Sequence, residues 1–138
     1  MSTPLEVREV LVCDDIRRED NGKAILIGVY VGEIVANSFP LDVRLCFWLQ
    51  GRARKGIGAG DAQFKIELTN QDVEPVYLSA KFDAPPEEKV SGILVFAGVP
   101  LRVKQPGHLV LSVKEENGNW LELMRKGIVV RSNSEQKP

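Results

Sequence analysis

Histidine occurs once in the 138 residues, at position 108, and cysteine twice, at 13 and 46. A lone histidine leaves the usual nucleophile–base pairs without a base, and zinc needs several histidine or cysteine ligands. No CxxC, HxxxH or GxSxG pattern compensates. The formal net charge is -1, so the chain lacks both the broad positive field of a dedicated nucleic-acid binder and the acidic excess of a solvating tail. Acids and bases interrupt every apolar run before it is long enough to span a bilayer, and the start, Met1 to Glu9, is no basic-then-apolar signal segment. The expectation is a soluble, cytoplasmic protein with no membrane contact. Without export, Cys13 and Cys46, both inside apolar runs, read as reduced packing residues ahead of a disulfide or a reactive thiol.

What the chain does have is period-two alternation, the mark of strands with one face on a core. Phe64, Ile66 and Leu68 oppose Lys65 and Glu67; Val76, Leu78, Ala80 and Phe82 oppose Tyr77, Ser79 and Lys81; Leu109, Leu111 and Val113 oppose Ser112 and Lys114. In a fourth run Val43, Leu45, Phe47 and Leu49 alternate with Arg44, Cys46, Trp48 and Gln50. Between such runs lie Asn21-Gly22, the segment 51–60, Asn70-Gln71-Asp72, Pro85-Pro86, Pro106-Gly107, Asn117-Gly118 and Lys126-Gly127, residues whose backbone preferences favour turns. Asn117-Gly118 predicts a hairpin of type I′. Residues 24–31 and 93–99 are apolar on both faces, which suits central strands covered from each side.

About eight to nine short strands predict an all-β, single-domain antiparallel sandwich over residues 5–131, with at most one helical turn near 85–89. Residues 1–4 and 132–138 are expected to be flexible tails.

Four candidate sites compete with plainer roles. Asp14, Asp15, Glu19, Asp20 and Asn21 form an acidic connection with oxygen ligands for Ca²⁺, but taking Gly22 as the turn glycine of an EF-hand puts Gly28 where the closing acid belongs. Interleaved Arg17, Arg18 and Lys23 point instead to internal ion pairing. The loop 51–60 carries Arg52, Arg54 and Lys55 among glycines, a candidate anion-binding loop. It is not a phosphate loop, since Ile57 stands where the lysine is required. Trp48, with Arg44 and Gln50 on one strand face, is a candidate interaction surface, unless a bulge or covering loop buries the indole. Trp120 is expected in the core, and His108 in a structural or exposed role. No catalytic, cofactor or metal residue is assigned.

The run Leu11-Val12-Cys13-Asp14-Asp15, then Glu19 with Gly22-Lys23, then Leu26-Ile27-Gly28-Val29-Tyr30, and later Phe39-Pro40, resembles the opening of small bacterial proteins known only as a domain of unknown function. The resemblance implies a bacterial, β-rich, standalone domain and transfers no catalytic residue.

The leading expectation is therefore a non-enzymatic module that binds another copy of itself or an unidentified protein. An anion- or nucleic-acid-binding module is the runner-up, and a carboxylate-based enzyme trails both.

Overall fold

The computed structural model describes residues 3, 5–53, 59–83 and 90–131. Nine strands run through them: β1 (Leu5–Arg18), β2 (Ala24–Val29), β3 (Ile34–Ala36), β4 (Leu41–Ala53), β5 (Ala59–Leu68), β6 (Val76–Asp83), β7 (Val90–Val103), β8 (Gly107–Lys114) and β9 (Trp120–Val130). They form a four-stranded sheet in the order β2-β1-β4-β7 and a five-stranded sheet in the order β3-β9-β8-β5-β6. The fold is the expected all-β sandwich. Among the described residues no helix is long and apolar enough to cross a membrane. The helical turn predicted at 85–89 lies outside the described residues, as do Arg54 and Lys55 of the basic loop.

The core follows the alternation. Leu45, Phe47 and Leu49 of β4 and Val12 of β1 face Phe64 and Ile66 of β5 and Leu109, Leu111 and Val113 of β8, and none is more than 1% exposed. Phe64 and Phe96 meet edge-on between the sheets, with ring centroids 5.2 Å apart. Full burial of such side chains stabilises by about 1.5–3 kcal/mol each.

Three features depart from the sequence reading. First, β3 pairs with β9 in parallel, while the other strand pairs among the described residues are antiparallel. The chain leaves the edge of one sheet after β2 and enters the edge of the other running alongside its final strand. Second, β2 and β7 are edge strands and not central ones. Their two-sided apolarity has another cause: β7 sends Leu94, Phe96, Val99 and Leu101 to the core and Val95 to the outer surface, whereas β2 contributes nothing to the core and leaves Ile25, Ile27 and Val29 exposed.

Third, the hairpin at 117–118 is present but its turn differs. Gly118 N–H donates to the Glu115 carbonyl and Glu115 N–H to the Asn119 carbonyl. Gly118 takes φ 90° while Asn117 stays out of the left-handed region, which rules out type I′ and leaves a three-residue loop with a glycine bulge. The β1–β2 hairpin repeats this arrangement: Gly22 N–H bonds Glu19 O, Glu19 N–H bonds Lys23 O, and Gly22 has φ 84°. In both, an asparagine Oδ1 accepts the N–H two residues on, Asn21 from Lys23 and Asn117 from Asn119. The shared Glu-x-Asn-Gly segment is a turn device used twice.

Candidate interaction face

On the outer surface of the four-stranded sheet, pairing places side chains in rows. Leu11, Trp48 and Val95 are consecutive cross-strand partners on β1, β4 and β7. Beside them Val29, Cys13 and Cys46 form the next row over β2, β1 and β4, and on the other side lie Glu9, Gln50 and Ile93. Trp48, Leu11 and Val95 are half-buried, whereas Ile25, Ile27, Val29 and Ile93 are 44, 40, 37 and 50% exposed. The centre is apolar and the margin polar: Glu9, Gln50 and Arg52 toward one end, Asp15, Arg17 and Arg44 toward the other.

Trp48 thus lies where alternation with Phe47 puts it, beside Cys46 and away from the core. Neither a register reversal nor full burial removes it from the surface. A bulge does occur nearby, since β7 gains a residue between the Leu45–Val99 and Phe47–Phe96 pairs. Gly98 takes φ 64° there, its N–H points to Cys46 Sγ at 3.4 Å, and the Arg44 guanidinium reaches its carbonyl at 3.5 Å. Arg44 and Gln50 flank the indole along β4, and Arg52 sits half-buried farther along the same strand, opposite Glu6.

Cys13 and Cys46 are cross-strand partners, 0 and 3% exposed, and both are free thiols. Burial, with the neighbouring Cys46 second, pushes the Cys13 thiol above its ordinary range. They are packing residues of the outer layer, not of the inter-sheet core.

The acidic segment is strand and turn rather than a loose connection, because β1 continues to Arg18. Its carboxylates separate. Asp15 pairs with Arg17 at 3.4 Å, Glu19 closes the hairpin turn, and Asp14 Oδ1 accepts the Tyr30 hydroxyl at 2.7 Å. Burial and that bond to Asp14 push the Tyr30 phenol up to about 12. Asp14 lies over Gly28, at φ 69°, where an added Cβ would stand 2.9 Å from Asp14 Cγ. Asp14, Gly28 and Tyr30 are thereby one structural unit, which gives the Asp-Asp and Gly-Val-Tyr elements of the sequence pattern a physical basis. Among the described residues no group of three or more metal-ligating side chains converges.

His108 works through its backbone. Its N–H donates to Thr69 Oγ1 and its carbonyl accepts from Thr69 N–H, both at 2.9 Å. Trp120 departs from its expected core position. It lies half-buried on the outer face of the five-stranded sheet, with Lys65 Nζ 4.7 Å and Lys114 Nζ 6.0 Å from its ring and Tyr77 6.2 Å away. The signal that reveals this is in the hairpin: Trp120 pairs with Lys114, whose strand has Leu109, Leu111 and Val113 pointing in. Leu11 and Val95 join the outer surface without a sequence signal of their own, since only pairing shows that they flank Trp48.

Neither a curated protein nor a solved structure matches the chain. Residues 9–123, running from within β1 to within β9, match a family described as a family of unknown function, DUF6941. The span covers most of the 138 residues and includes the Asp14–Gly28–Tyr30 unit and the Trp48 row, and the chain belongs to that family.

Proposed function

We propose that this protein is a non-enzymatic interaction module of the bacterial cytoplasm, which associates with a second copy of itself or with a protein partner through the outer face of its four-stranded sheet. One observation carries the reading: Leu11, Trp48 and Val95 form a cross-strand row on the side of the sheet turned away from the core, with exposed Val29 and Ile93 in the flanking rows and charged residues toward both ends. An apolar centre with a polar margin is the anatomy of protein interfaces, and tryptophan and arginine are enriched at their energetic centres. Four strands at about 4.8 Å spacing and about nine residues of rise give a face of roughly 30 by 19 Å, approaching the size of a standard interface. The edge position of β2 adds backbone groups that no other described strand pairs, next to exposed Ile25 and Ile27.

Sedimentation across a dilution series tests the reading. Concentration-dependent association that Trp48→Glu and Ile27→Lys both weaken supports it. A monomer at every concentration, with no partner retained on immobilised protein in a face-dependent way, refutes it.

A second reading, an anion- or nucleic-acid-binding module, is supported by Arg52 at the end of β4 leading into the basic loop, and by the Trp120–Lys65–Lys114 cluster on the opposite sheet. Oligonucleotide affinity falling steeply with salt favours it, and no binding at low salt removes it.

A further inference from the structure

We infer that the sandwich holds a binding cavity for a medium-chain carboxylate at the end where β4 and β7 both carry an inward-facing glycine. Gly51 of β4 lies between buried Leu49 and Ala53 on the core-facing side, and Gly92 of β7 is its cross-strand partner. Two adjacent core-facing positions therefore have no side chain. Gly92 is exposed and an added Cβ there would meet nothing within 4 Å, so the space beside it opens to solvent at the edge of the sandwich, whereas a Cβ at Gly51 would stand 3.2 Å from the Glu6 carbonyl oxygen. The result is a cavity of about 220 Å³ walled by Leu5, Val7, Leu49 and Leu94 from one sheet and Phe82 from the other.

The lining selects the occupant. An aliphatic and aromatic wall offers water too few hydrogen-bond partners, and apolar cavities of roughly 150 Å³ take up benzene-sized molecules. A space half as large again accepts an alkyl chain of about six to eight carbons. Among the described lining residues Lys81 is the charged one. It lies on β6, which like β7 across the gap is an edge strand; Lys81 is exposed, with Asp61 as its cross-strand partner, so the charge stands at the open margin and not within the apolar part. An alkyl body inside and a carboxylate at the Lys81 margin satisfy both parts. Ile93 borders both this cavity and the outer face, but Leu11, Trp48, Val95 and Val29 lie outside the cavity, so the two sites are tested by different residues.

Octanoate titrated into protein with labelled methyl groups tests it. The expected result is saturable shifts in the methyls of Leu5, Val7, Leu49 and Leu94, with Ile25, Ile27 and Val29 unmoved. Gly92→Leu, which fills the space from a backbone free of left-handed strain, is expected to weaken binding at least tenfold. Gly92→Ala, a milder filling that keeps the test decisive if the leucine variant does not fold, is expected to weaken it about threefold. Lys81→Met is expected to weaken octanoate severalfold and to leave octanol unchanged. Absence of saturable shifts in the cavity methyls overturns the site, as does undiminished binding by either folded Gly92 variant. Equal affinity for octanol and octanoate in the unaltered protein overturns the carboxylate assignment.

Discussion

Replacing Gly28 by alanine isolates what the Asp14–Gly28–Tyr30 unit contributes. Gly28 has φ 69°, and an L-residue held there costs about 1–2 kcal/mol. The new methyl group would stand 2.9 Å from Asp14 Cγ and closer to Oδ2, so the carboxylate has to swing away. Doing so forfeits the 2.7 Å bond from the Tyr30 hydroxyl, worth about 1 kcal/mol at this half-exposed site. The total is about 2–3 kcal/mol, against roughly 7–20 kcal/mol for a chain of this length. With a urea m-value of about 2 kcal/mol/M, the midpoint should fall by about 1–1.5 M. A double-mutant cycle separates the two parts. In an Asp14→Ala background there is no carboxylate to displace, so Gly28→Ala should cost only the backbone part and the cycle should show a coupling of about 1 kcal/mol. Equal costs in the two backgrounds would refute the proposed contact, and a cost below about 0.5 kcal/mol in the parent would refute the backbone argument as well.

Three further outcomes follow from the same geometry. Because the folded Tyr30 phenol titrates near 12 and an unfolded tyrosine near 10, the folded state holds its proton longer; stability is complete below pH 10 and declines as pH rises toward 12, and Tyr30→Phe should flatten that decline in denaturant midpoints measured from pH 9 to 12. Cys13 and Cys46 should resist a thiol-specific disulfide reagent in the native protein and react with two equivalents after denaturation, whereas rapid native labelling would contradict their burial. Truncating Phe47, fully buried, to alanine should cost about 3–5 kcal/mol by thermal or urea unfolding, while Trp48→Ala beside it should cost clearly less and act mainly on association.

The legibility of the chain varies with the regularity of its alternation. β5, β6 and β8 read directly, because apolar and polar residues exchange at every step. Trp48 yields to the same logic, since Phe47 and Leu49 fix the parity of β4. Trp120 does not, because Trp120-Leu121-Glu122-Leu123-Met124 has no clean period, and a bulge between the Leu111–Met124 and Ser112–Glu122 pairs shifts parity within the strand. Two-sided apolarity is the usual sign of a central strand, yet β2 and β7 are edges with apolar residues on the outside. Strand order is a property of long-range pairing, and hydrophobicity along one segment does not encode it. The glycine pair at 51 and 92 is legible in one dimension only as loop or punctuation, since its meaning depends on the two residues being neighbours across strands.

The chain deals its strands to the two sheets by turns: β1, β2, β4 and β7 to one, β3, β5, β6, β8 and β9 to the other. A growing polypeptide can therefore complete neither layer from its first half, and the short β3 waits for its parallel mate at the far end of the sequence. Closing either layer needs strands from both halves, and a cut in the middle of the chain yields two fragments that each hold an unfinished layer. Mixed together, such halves would be expected to rescue one another, which makes this protein a natural candidate for a split reporter.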